Sequence, residues 1–430
     1  SSLKQCGITK IITSGLFVKK LADFPFNEEP LYIEDILSRI TLLDKLSSYF
    51  KAKFISVKLL DKNPSKCADK TATIIFSSGS TAEPKGVMLS HHNVSSNVES
   101  LRMVLKVNKK DNLFSALPFF HSFGYTGSVW FPLISGFSTT FHVTPLEPAK
   151  VVEMIAANHS SILISTPTFL SAYMKKASPE DFKYMRYVIA GAEKVKNTLA
   201  EQFQEKFNLQ ILEGYGATEL SPMVSVNLPD VEIHGVYQIG LKKGTVGHPL
   251  PGVSVKIVDR ETFAPMKTGE SGLLLVKGPN VMKGYLNNPQ KTKEVIKDGW
   301  YNTGDIAFID NEGFITITDR LSRFSKIGGE MVSHVAVEDA IMTAMGLTNQ
   351  LIAVTSIPDE KKGEQIVLIY TKDQIDIQKL KETISKSEIP NLWKPKNENI
   401  IPADAISILG SGKLDLKALK SMALNKINLE

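Results

Sequence analysis

The chain has 430 residues, 43% of them hydrophobic and 22% charged, which is an ordinary composition for a soluble enzyme. Its net charge of +5 is too small for this length to indicate nucleic-acid binding, and no apolar stretch has the length of a membrane-spanning helix. Two cysteines, Cys6 and Cys67, exclude a disulfide framework and favour a reducing compartment.

The first residues resemble the interior of a domain. Residues 6–13, CGITKIIT, are predicted to form a strand, and no methionine precedes them. We therefore expect the chain to be a fragment of a longer protein.

Predicted strands alternate with predicted helices between residues 70 and 215. The strand ATIIFSS is predicted to lead through a loop into a helix that is capped near Ser90. That helix has four apolar residues on one face: Val94, Val98, Leu101 and Leu105. The helical patterns AKVVEMIAANH, TFLSAYMKKA and NTLAEQFQEKF then precede the apolar runs SILIST, YVIAG and LQILEGYG. This alternation predicts an α/β fold with a largely parallel sheet and functional loops at the carboxyl ends of its strands.

The pattern changes after about residue 240. GVSVKIVD, SGLLLVKG, DIAFID and FITITD are predicted to be short strands of a β-rich subdomain, the last two joined by a turn at residues 311–313. Beyond residue 323, a helix, a hairpin, a second helix, a strand and a terminal helix predict a small α+β domain. We expect a large domain over residues 1–322 and a small mobile domain over residues 323–430.

The loop FSSGSTAEPKGV, residues 76–87, combines hydroxyl groups, glycines and a lysine. Its candidate phosphate-binding residues are Ser77, Ser78, Gly79, Ser80, Thr81 and Lys85. The spacing differs from that of a P-loop NTPase, which favours a loop that holds pyrophosphate and then releases it. A plain polar connection between a strand and a helix is the competing interpretation.

The segment LEGYGATELSP follows a predicted strand. Tyr215 can stack on a base, Thr218 can bind a phosphate oxygen, and Glu219 can hold Mg²⁺ together with waters. An ordinary capped helix start is the competing interpretation.

Three later motifs add polar residues. In GWYNTGDIAFID, Asp305 can accept hydrogen bonds from both hydroxyls of a ribose, and Arg320 in DRLSRFSKIGGEMVS is a second ribose contact. Gly328 and Gly329 can let a narrow substrate arm pass close to the backbone, and Lys413 lies in the glycine-flanked loop LGSGKLD. The competing interpretations are an ordinary turn residue for Asp305, a solvated basic linker for the segment with Arg320, and a solvent-facing side chain for Lys413.

In their order, the motifs SSGSTAEPKG, LEGYGATE, WYNTGD, DRLSRFSKIGGEMVS and GSGK resemble those of the adenylate-forming superfamily, which contains acyl-CoA synthetases, luciferases and peptide-synthetase adenylation domains. Within it, SALPFFHSFGYT, YVIAGAEKV and ILEGYGATELSPMVSVN are most similar to the acyl-ACP synthetase half of bacterial bifunctional 2-acylglycerophosphoethanolamine acyltransferase/acyl-ACP synthetases. RFSKIGGEMVS and LGSGKLDLKALKS support this finer resemblance.

The resemblance implies the fold and the roles of the site residues. It implies a large domain of parallel sheets with helices plus a β-rich subdomain, and a small α+β domain. Lys413 would neutralise charge at the α-phosphate of ATP, Glu219 would ligate Mg²⁺, and Thr81 and Thr218 would contact phosphates. Asp305 and Arg320 would bind ribose. The residues framing adenine would be Gly191, Ala192, Glu193 and Tyr215, and Gly216 would also be among the cofactor-binding residues.

The resemblance also implies an acyl pocket and a domain rotation. His121 would lie at the carboxylate end of the acyl pocket, Gly214 and Gly216 would form a slot for an unbranched chain, and some of Phe119, Phe120 and Phe123 would line a tunnel rather than the core. The small domain would rotate about a hinge at Arg323. Gly328 and Gly329 would line the tunnel for the pantetheine arm.

The expected activity is ATP-dependent activation of a long-chain fatty acid and its transfer to acyl carrier protein. In the whole protein, acyl groups would pass to a lysophospholipid at the inner face of the bacterial inner membrane, through an acyltransferase domain that is absent here. An acyl-CoA synthetase and a non-catalytic member of the superfamily are the alternatives.

Three departures from the family pattern bear on activity. Ala82 stands where the phosphate loop usually has glycine, Asp319 replaces the glycine usual before Arg320, and only 76 residues precede Ser77. The first two changes can lower activity or shift the geometry, and the third agrees with a fragment.

Overall fold

The computed structural model describes residues 2–20, 26, 29–55, 67–77, 84–347, 349–359, 361–408 and 414–427. Within these ranges, no helix combines the length and the apolar character needed to cross a membrane.

The central sheet confirms the predicted α/β fold. Its strands, in spatial order, are His248–Pro249, Met223–Val226, Ile211–Gly216, Tyr187–Ala190, Ile162–Ser165, Asn112–Ser115 and Ser138–Phe141. From Ile211–Gly216 to Ser138–Phe141 all neighbours are parallel, whereas Met223–Val226 pairs antiparallel with Ile211–Gly216. The carboxyl ends of the parallel strands therefore meet at one edge.

Helices cover both faces of this sheet. They are His91–Val104, Ser122–Gly124, Phe131–Ser135, Pro148–Ala157, Pro167–Lys176 and Asn197–Phe207, with a π-helical turn at Tyr125–Trp130 and a 3-10 turn at Pro179–Phe182. One apolar cluster packs around Phe114, Tyr173 and Phe203, all almost fully buried. Burial of a large apolar side chain stabilises the fold by about 1.5–3 kcal/mol, so these residues fix the helices on the sheet.

The loop after ATIIFSS joins two strands rather than a strand and a helix, which corrects the predicted connection. Thr71–Ser77 pairs antiparallel with Lys85–Ser90, which pairs with Gly284–Tyr285 in a sheet of its own. The second strand forms because Val87 and Leu89 are fully buried against the β-rich subdomain. Ser90 then caps the helix by accepting a hydrogen bond from the Asn93 amide.

The β-rich subdomain follows its predicted order. Ser254–Val258, Gly272–Lys277, Trp300–Ile309 and Ile315–Arg320 pair antiparallel in sequence, and Ile296–Lys297 pairs with Trp300–Ile309. The helix Pro289–Val295 precedes this last short strand, and Val231–Ile233 forms a separate hairpin with Val236–Gln238.

The residues after Arg320 form the predicted α+β pattern. Its strands are Phe324–Ile327, Glu330–Ser333, Ile352–Asp359, Gly363–Thr371 and Ile400–Ala403. Its helices are His334–Met345, Ile377–Lys386 and Leu416–Ile427, with 3-10 turns at Leu321–Arg323, Asn391–Trp393 and Asn397–Asn399. They enclose apolar clusters on the two faces of the sheet. The boundary at residue 323 stays a prediction.

The predicted strand over residues 6–13 is wrong in extent. Ser2–Cys6 is a helix, and only Ile12–Thr13 is extended, parallel to Leu31–Tyr32. Partly buried and exposed side chains alternate only from Ile11 to Thr13, and this run is too short to sustain the longer strand that was predicted. The helices Gly15–Lys20, Ile33–Ser38 and Leu42–Phe54 complete this region.

Candidate active site

Tyr215, Asp305 and Arg320 meet beside the carboxyl end of the central sheet. The Tyr215 hydroxyl donates a hydrogen bond to Asp305 Oδ2, and Arg320 Nε lies 2.8 Å from Asp305 Oδ1. Asp305 and Arg320 are direct partners across two strands of the β-rich subdomain, whereas Tyr215 comes from the central sheet. The predicted pair of ribose contacts thus lies together with the predicted base contact.

The Asp305 carboxylate retains acceptor capacity for a ligand. Each carboxylate oxygen can accept two hydrogen bonds, and within the described part of the chain each oxygen contacts one partner. The carboxylate is buried while Arg320 is half-exposed, so the group opens toward solvent on the arginine side. Burial, together with the charge of Asp305, raises the pKa of Tyr215, which keeps the phenol a donor. This arrangement suits a neutral ligand with adjacent hydroxyl groups.

Glu219, Tyr285 and Lys85 form a second group. The Tyr285 hydroxyl donates to Glu219 Oε1 at 2.9 Å, and the Lys85 ammonium lies 5.6 Å from the centre of the Tyr285 ring. The strand pairing of Gly284–Tyr285 with Lys85–Ser90 sets this position. Burial and the Glu219 charge raise the pKa of Tyr285, so this phenol also remains a donor. A carboxylate thus lies at the hydroxyl of this aromatic side chain and an ammonium lies over its ring.

Glu219 meets the requirement for a magnesium ligand of the phosphate-bound type. Mg²⁺ in phosphate sites is held by one or two carboxylates, with waters and phosphate oxygens completing the shell. Among the described residues, no group of three or more His, Cys, Asp or Glu side chains forms a cage. A single carboxylate, that of Glu219 oriented by Tyr285, fits a Mg²⁺ ion that binds together with a phosphate-containing substrate.

Thr218 and His121 lie at the edge between the two sheets. The Thr218 hydroxyl is 3.3 Å from the Ser122 hydroxyl, which joins the 3-10 turn Thr218–Leu220 to the segment after His121. His121 Nδ1 accepts a hydrogen bond from the Phe123 amide and thereby caps the short helix Ser122–Gly124. Thr218, the predicted phosphate-site threonine, is therefore in contact with the residue that follows His121, the predicted acyl-site histidine.

Two glycines at this edge have close neighbours. A Cβ on Gly216 would lie 2.0 Å from the carbonyl oxygen of Pro222, and a Cβ on Gly214 would lie 3.0 Å from Met223 Sδ. Real Cβ atoms do not approach backbone oxygens this closely. Gly216 is therefore required by the fold itself, in addition to any role beside a ligand.

Phe123 lies against a third glycine, Gly191. A Cβ on Gly191 would lie 3.3 Å from the Phe123 ring, which is buried in an apolar cluster with Met223. A cavity of about 20 Å³ remains beside Phe123 and Met223. Phe119 and Phe120 are exposed, so the alternative of plain core residues is wrong for these two.

Ala192 and Glu193 leave the central sheet after Gly191. Ala192 has a φ of 71°, a left-handed conformation that side chains other than glycine adopt at a cost. The Glu193 carboxylate accepts hydrogen bonds from the hydroxyl and the amide of Thr168, so it is held at the start of a helix. An adenine contact by these residues stays a prediction.

Glu213 is a buried carboxyl group that the motif analysis did not single out. Its Oε1 accepts a hydrogen bond from the Val195 amide at 3.1 Å, and burial raises its pKa to about 7. It lines a cleft of about 270 Å³ with the helix Asn197–Phe207 and residues 241–245. The signal in the sequence is a carboxylate within the buried run of a strand, two residues before Tyr215.

The segment after Arg320 connects to the small α+β unit through buried polar groups. Asp319 accepts hydrogen bonds from the Ser333 hydroxyl and the Arg320 amide, and burial raises its pKa. Arg323 forms an ion pair with Glu338, which lies on the helix His334–Met345. Arg323 is thus anchored to the small unit, and its role as a hinge stays a prediction.

Gly328 and Gly329 form the turn between Phe324–Ile327 and Glu330–Ser333, both with positive φ. The Gly328 amide donates to the Lys362 carbonyl at 2.8 Å, and a Cβ on Gly328 would be 3.9 Å from Leu392. The predicted tunnel loop therefore lies beside the segments that contain Lys361, Lys362, Lys394 and Lys396.

Several predicted site residues lie outside the described residues, namely Ser78, Gly79, Ser80, Thr81 and Lys413, together with the departure Ala82. The two predicted residues that border the phosphate loop are described. Ser77 ends the first strand of the hairpin and Lys85 begins the second, and they are direct partners in the strand register.

Comparison with known proteins agrees with this geometry. Residues 2–286 match the family model described as AMP-binding enzyme. A long-chain-fatty-acid–CoA ligase from Salmonella typhimurium is 31% identical over 348 residues, which cover 79% of this chain and 60% of the ligase. A luciferin 4-monooxygenase from Photuris pensylvanica is 29% identical and covers 86% of this chain and 67% of its own length.

Solved structures of other proteins have a similar fold. ATP-bound MatB from Rhodopseudomonas palustris has a TM-score of 0.72 at 29% identity, covering 83% of this chain and 68% of that protein. O-succinylbenzoate coenzyme A synthetase from Bacillus subtilis has a TM-score of 0.77 at 23% identity and covers 97% of this chain and 79% of its own, which supports the fold. On the match over residues 2–286, this chain belongs to the adenylate-forming superfamily of AMP-binding enzymes.

Proposed function

We propose that this chain is the synthetase part of an enzyme that activates a long-chain fatty acid with ATP and transfers the acyl group to a phosphopantetheine thiol. In the first step, a carboxylate oxygen bonds to the α-phosphorus of ATP, and the bond to the β-phosphate oxygen breaks. Pyrophosphate leaves and an acyl-adenylate remains. The adenylate is a good acyl donor because AMP is a far better leaving group than oxide.

The observation that carries the proposal is the group of Tyr215, Asp305 and Arg320. A buried carboxylate with spare acceptor capacity, held by a phenol and a guanidinium, is suited to the two hydroxyls of the ribose. Tyr215 would place its ring beside the base. Binding at this group would orient the α-phosphate toward Thr218 and Glu219, on the same chain segment as Tyr215.

Lys85 and Glu219 would serve the phosphates. Lys85 begins the strand after the phosphate loop and would place its charge near the β- and γ-phosphates. Glu219, oriented by Tyr285, would hold Mg²⁺ through one oxygen. When bound, Mg²⁺ would offset the negative charge of the phosphates.

In the second step, the thiol sulfur attacks the acyl carbonyl carbon, the thiol proton passes to solvent or a base, and AMP leaves. We propose acyl carrier protein as the acceptor. The segments that contact Gly328 contain lysines at positions 361, 362, 394 and 396. Carrier proteins are acidic, so this basic surface favours docking of one beside the turn.

Coenzyme A is the second candidate acceptor. Relatives that match 79% and 92% of this chain are named as long-chain-fatty-acid–CoA ligases, and the residues of the first step are equally suited to both acceptors. If carrier protein is the acceptor, the whole protein would pass the acyl group on to a lysophospholipid at the inner face of the bacterial membrane.

The test is acyl transfer with both acceptors. We would incubate the parent protein with ATP, Mg²⁺ and labelled palmitate, with holo-acyl carrier protein in one tube and CoA in another. Label on carrier protein alone is the expected result. Label on CoA alone would preserve the adenylation chemistry and refute the proposed acceptor.

The Lys413→Ala variant tests the non-catalytic alternative and the role of Lys413. We expect it to lose fatty-acid-dependent exchange of pyrophosphate into ATP while retaining the thermal unfolding midpoint of the parent. Unchanged exchange would remove Lys413 from the mechanism. Absence of exchange in the parent chain itself would favour a non-catalytic protein.

A further inference from the structure

The helix Leu42–Phe54 has an apolar face that no described part of the protein buries. From its composition and charge, we propose that this helix lies on the surface of an anionic phospholipid membrane, parallel to the bilayer. This inference is separate from the proposed activity, because it concerns a surface formed before the phosphate loop.

The helix is well formed although none of its residues is buried. Thr41 and Asp44 form a reciprocal capping box: the Asp44 amide donates to Thr41 Oγ1 at 3.2 Å, and the Thr41 amide donates to Asp44 Oδ2 at 2.9 Å. Lys51 and Lys53 lie in the last turn, where positive charge is favourable. Local interactions therefore define both ends of the helix.

The apolar side chains share one side of the helix. At about 100° per residue they span a sector of roughly 140°. They are Leu42, Leu43, Leu46, Tyr49, Phe50 and Phe54. Leu42, Leu43 and Phe54 are 72%, 77% and 69% exposed. A contiguous surface of leucine and aromatic side chains is unfavourable in water and indicates an interaction site.

The charges on the helix favour a lipid surface with negative charge. The helix contains three lysines, Lys45, Lys51 and Lys53, against one carboxylate, that of Asp44, so its net charge is positive. Lys53 lies within the apolar sector, and its ammonium donates a hydrogen bond to the Tyr49 hydroxyl at 3.3 Å. Its stem can therefore lie along the apolar face while its charge stays with the polar end of the tyrosine, at the level of the headgroups. Leucine and aromatic residues on one side with lysines beside them are typical of interfacial helices.

A membrane position also suits the proposed substrate. Long-chain fatty acids partition into bilayers, and a helix at the surface would place the acyl site near that supply. The two properties are nonetheless independent, since the helix contains none of the candidate site residues.

The experiment is flotation of the 430-residue chain with lipid vesicles. Vesicles of 30% phosphatidylglycerol in phosphatidylcholine are compared with pure phosphatidylcholine, at low salt and at 0.5 M salt. The test variant is Leu43→Ser/Leu46→Ser/Phe50→Ser. The matched control is Leu133→Ser/Leu146→Ser/Phe263→Ser, which changes three exposed apolar residues elsewhere.

We expect the parent and the control to float with the anionic vesicles, and the test variant to bind at least tenfold less. Binding of the parent should fall at least threefold in high salt or on neutral vesicles, because the lysine contribution is screened or lost. Equal binding by the test variant would overturn the proposal. A second result would also overturn it: a parent protein that self-associates but does not bind vesicles, together with a test variant that is monomeric. The apolar face would then contact a second copy of the chain. Flotation needs no catalysis, so its outcome is independent of the proposed activity.

Discussion

Tyr215 and Asp305 are 90 residues apart in the chain and belong to different sheets, yet the Tyr215 hydroxyl donates a hydrogen bond directly to the Asp305 carboxylate. The contact joins the central sheet to the β-rich subdomain where Arg320 also reaches Asp305. A nucleotide bound at this contact, as proposed above, would touch both the central sheet and the β-rich subdomain.

Asp305→Asn tests the proposed ribose site. The amide keeps the size of the side chain but loses the charge that Arg320 pairs with and one acceptor for a hydroxyl. Loss of a charged hydrogen bond costs about 1.5–3 kcal/mol, so we expect the KM for ATP in pyrophosphate exchange to rise roughly tenfold or more. Asp310→Asn, which removes the charge of a partly buried partner of Lys242, is the control. Equal KM values for parent and variant would exclude the ribose role.

Tyr285→Phe tests the orientation of Glu219. The change removes the hydrogen bond to Glu219 Oε1 and keeps the ring beside Lys85. We expect the Mg²⁺ concentration for half-maximal exchange to rise about fivefold, corresponding to about 1 kcal/mol. The control is Tyr237→Phe, which removes an exposed hydroxyl bonded to Asp230. The same Mg²⁺ requirement in both variants would mean that Glu219 is not a metal ligand oriented by this phenol.

Gly216→Ala tests the requirement for glycine near the end of the central strand. The added Cβ would lie 2.0 Å from the Pro222 carbonyl oxygen, so the backbone must move. We expect a loss of about 3 kcal/mol or more in the free energy of unfolding, measured by urea denaturation. Gly15→Ala has no atom within 4 Å of its new Cβ and should change stability by less than about 1 kcal/mol. A stable Gly216→Ala protein would show that the strand end adapts.

Glu213→Gln tests the buried carboxyl group through pH. Burial raises the folded pKa of Glu213 from 4.5 to about 7, so the folded state binds the proton more tightly than the unfolded state. Stability from this group is present at pH 4.5 and below, and is lost as pH rises through 7. The variant keeps the acceptor for the Val195 amide and does not titrate.

We therefore expect Glu213→Gln to gain roughly 2–3 kcal/mol in unfolding free energy relative to the parent between pH 5 and pH 8. The comparison is made by urea denaturation at each pH, so that groups common to both proteins cancel. Glu205→Gln, on the exposed side of the helix Asn197–Phe207, is the control and should show no such gain. A pH-independent difference for Glu213→Gln would mean that Glu213 is ionised in the folded protein.

Lys361→Glu/Lys362→Glu tests the proposed acceptor surface. Reversal of two charges beside the Gly328–Gly329 turn should slow association with acidic carrier protein, and we expect kcat/KM for that acceptor to fall at least tenfold at low salt. Pyrophosphate exchange, which needs no acceptor, should be unchanged. Lys109→Glu/Lys110→Glu, an exposed lysine pair elsewhere, supplies the control. A similar loss in both variants would indicate a general charge effect.

Local patterns in the sequence determined much of the secondary structure. The alternation of helices with apolar runs predicted strands of a largely parallel sheet where Ile162–Ser165, Tyr187–Ala190 and Ile211–Gly216 are found. The turn at residues 311–313 predicted the hairpin in which Asp305 pairs with Arg320. These features depend on residues close in the chain or on a periodic pattern. The strand Lys85–Ser90 was not predicted, because a short apolar run after a glycine is also typical of the loop that precedes a helix.

The site was decided by the tertiary structure. The motifs named Glu219 and Tyr215, but not Tyr285, which reaches Glu219 across 66 residues, nor the contact of Tyr215 with Asp305. The raised pKa of Glu213 likewise has its cause in burial of the carboxyl group by helix and strand packing. Such contacts arise from the register and packing of distant strands, and a one-dimensional pattern does not specify these. The sequence alone identified the chemical groups, whereas the fold determined which of them share an environment.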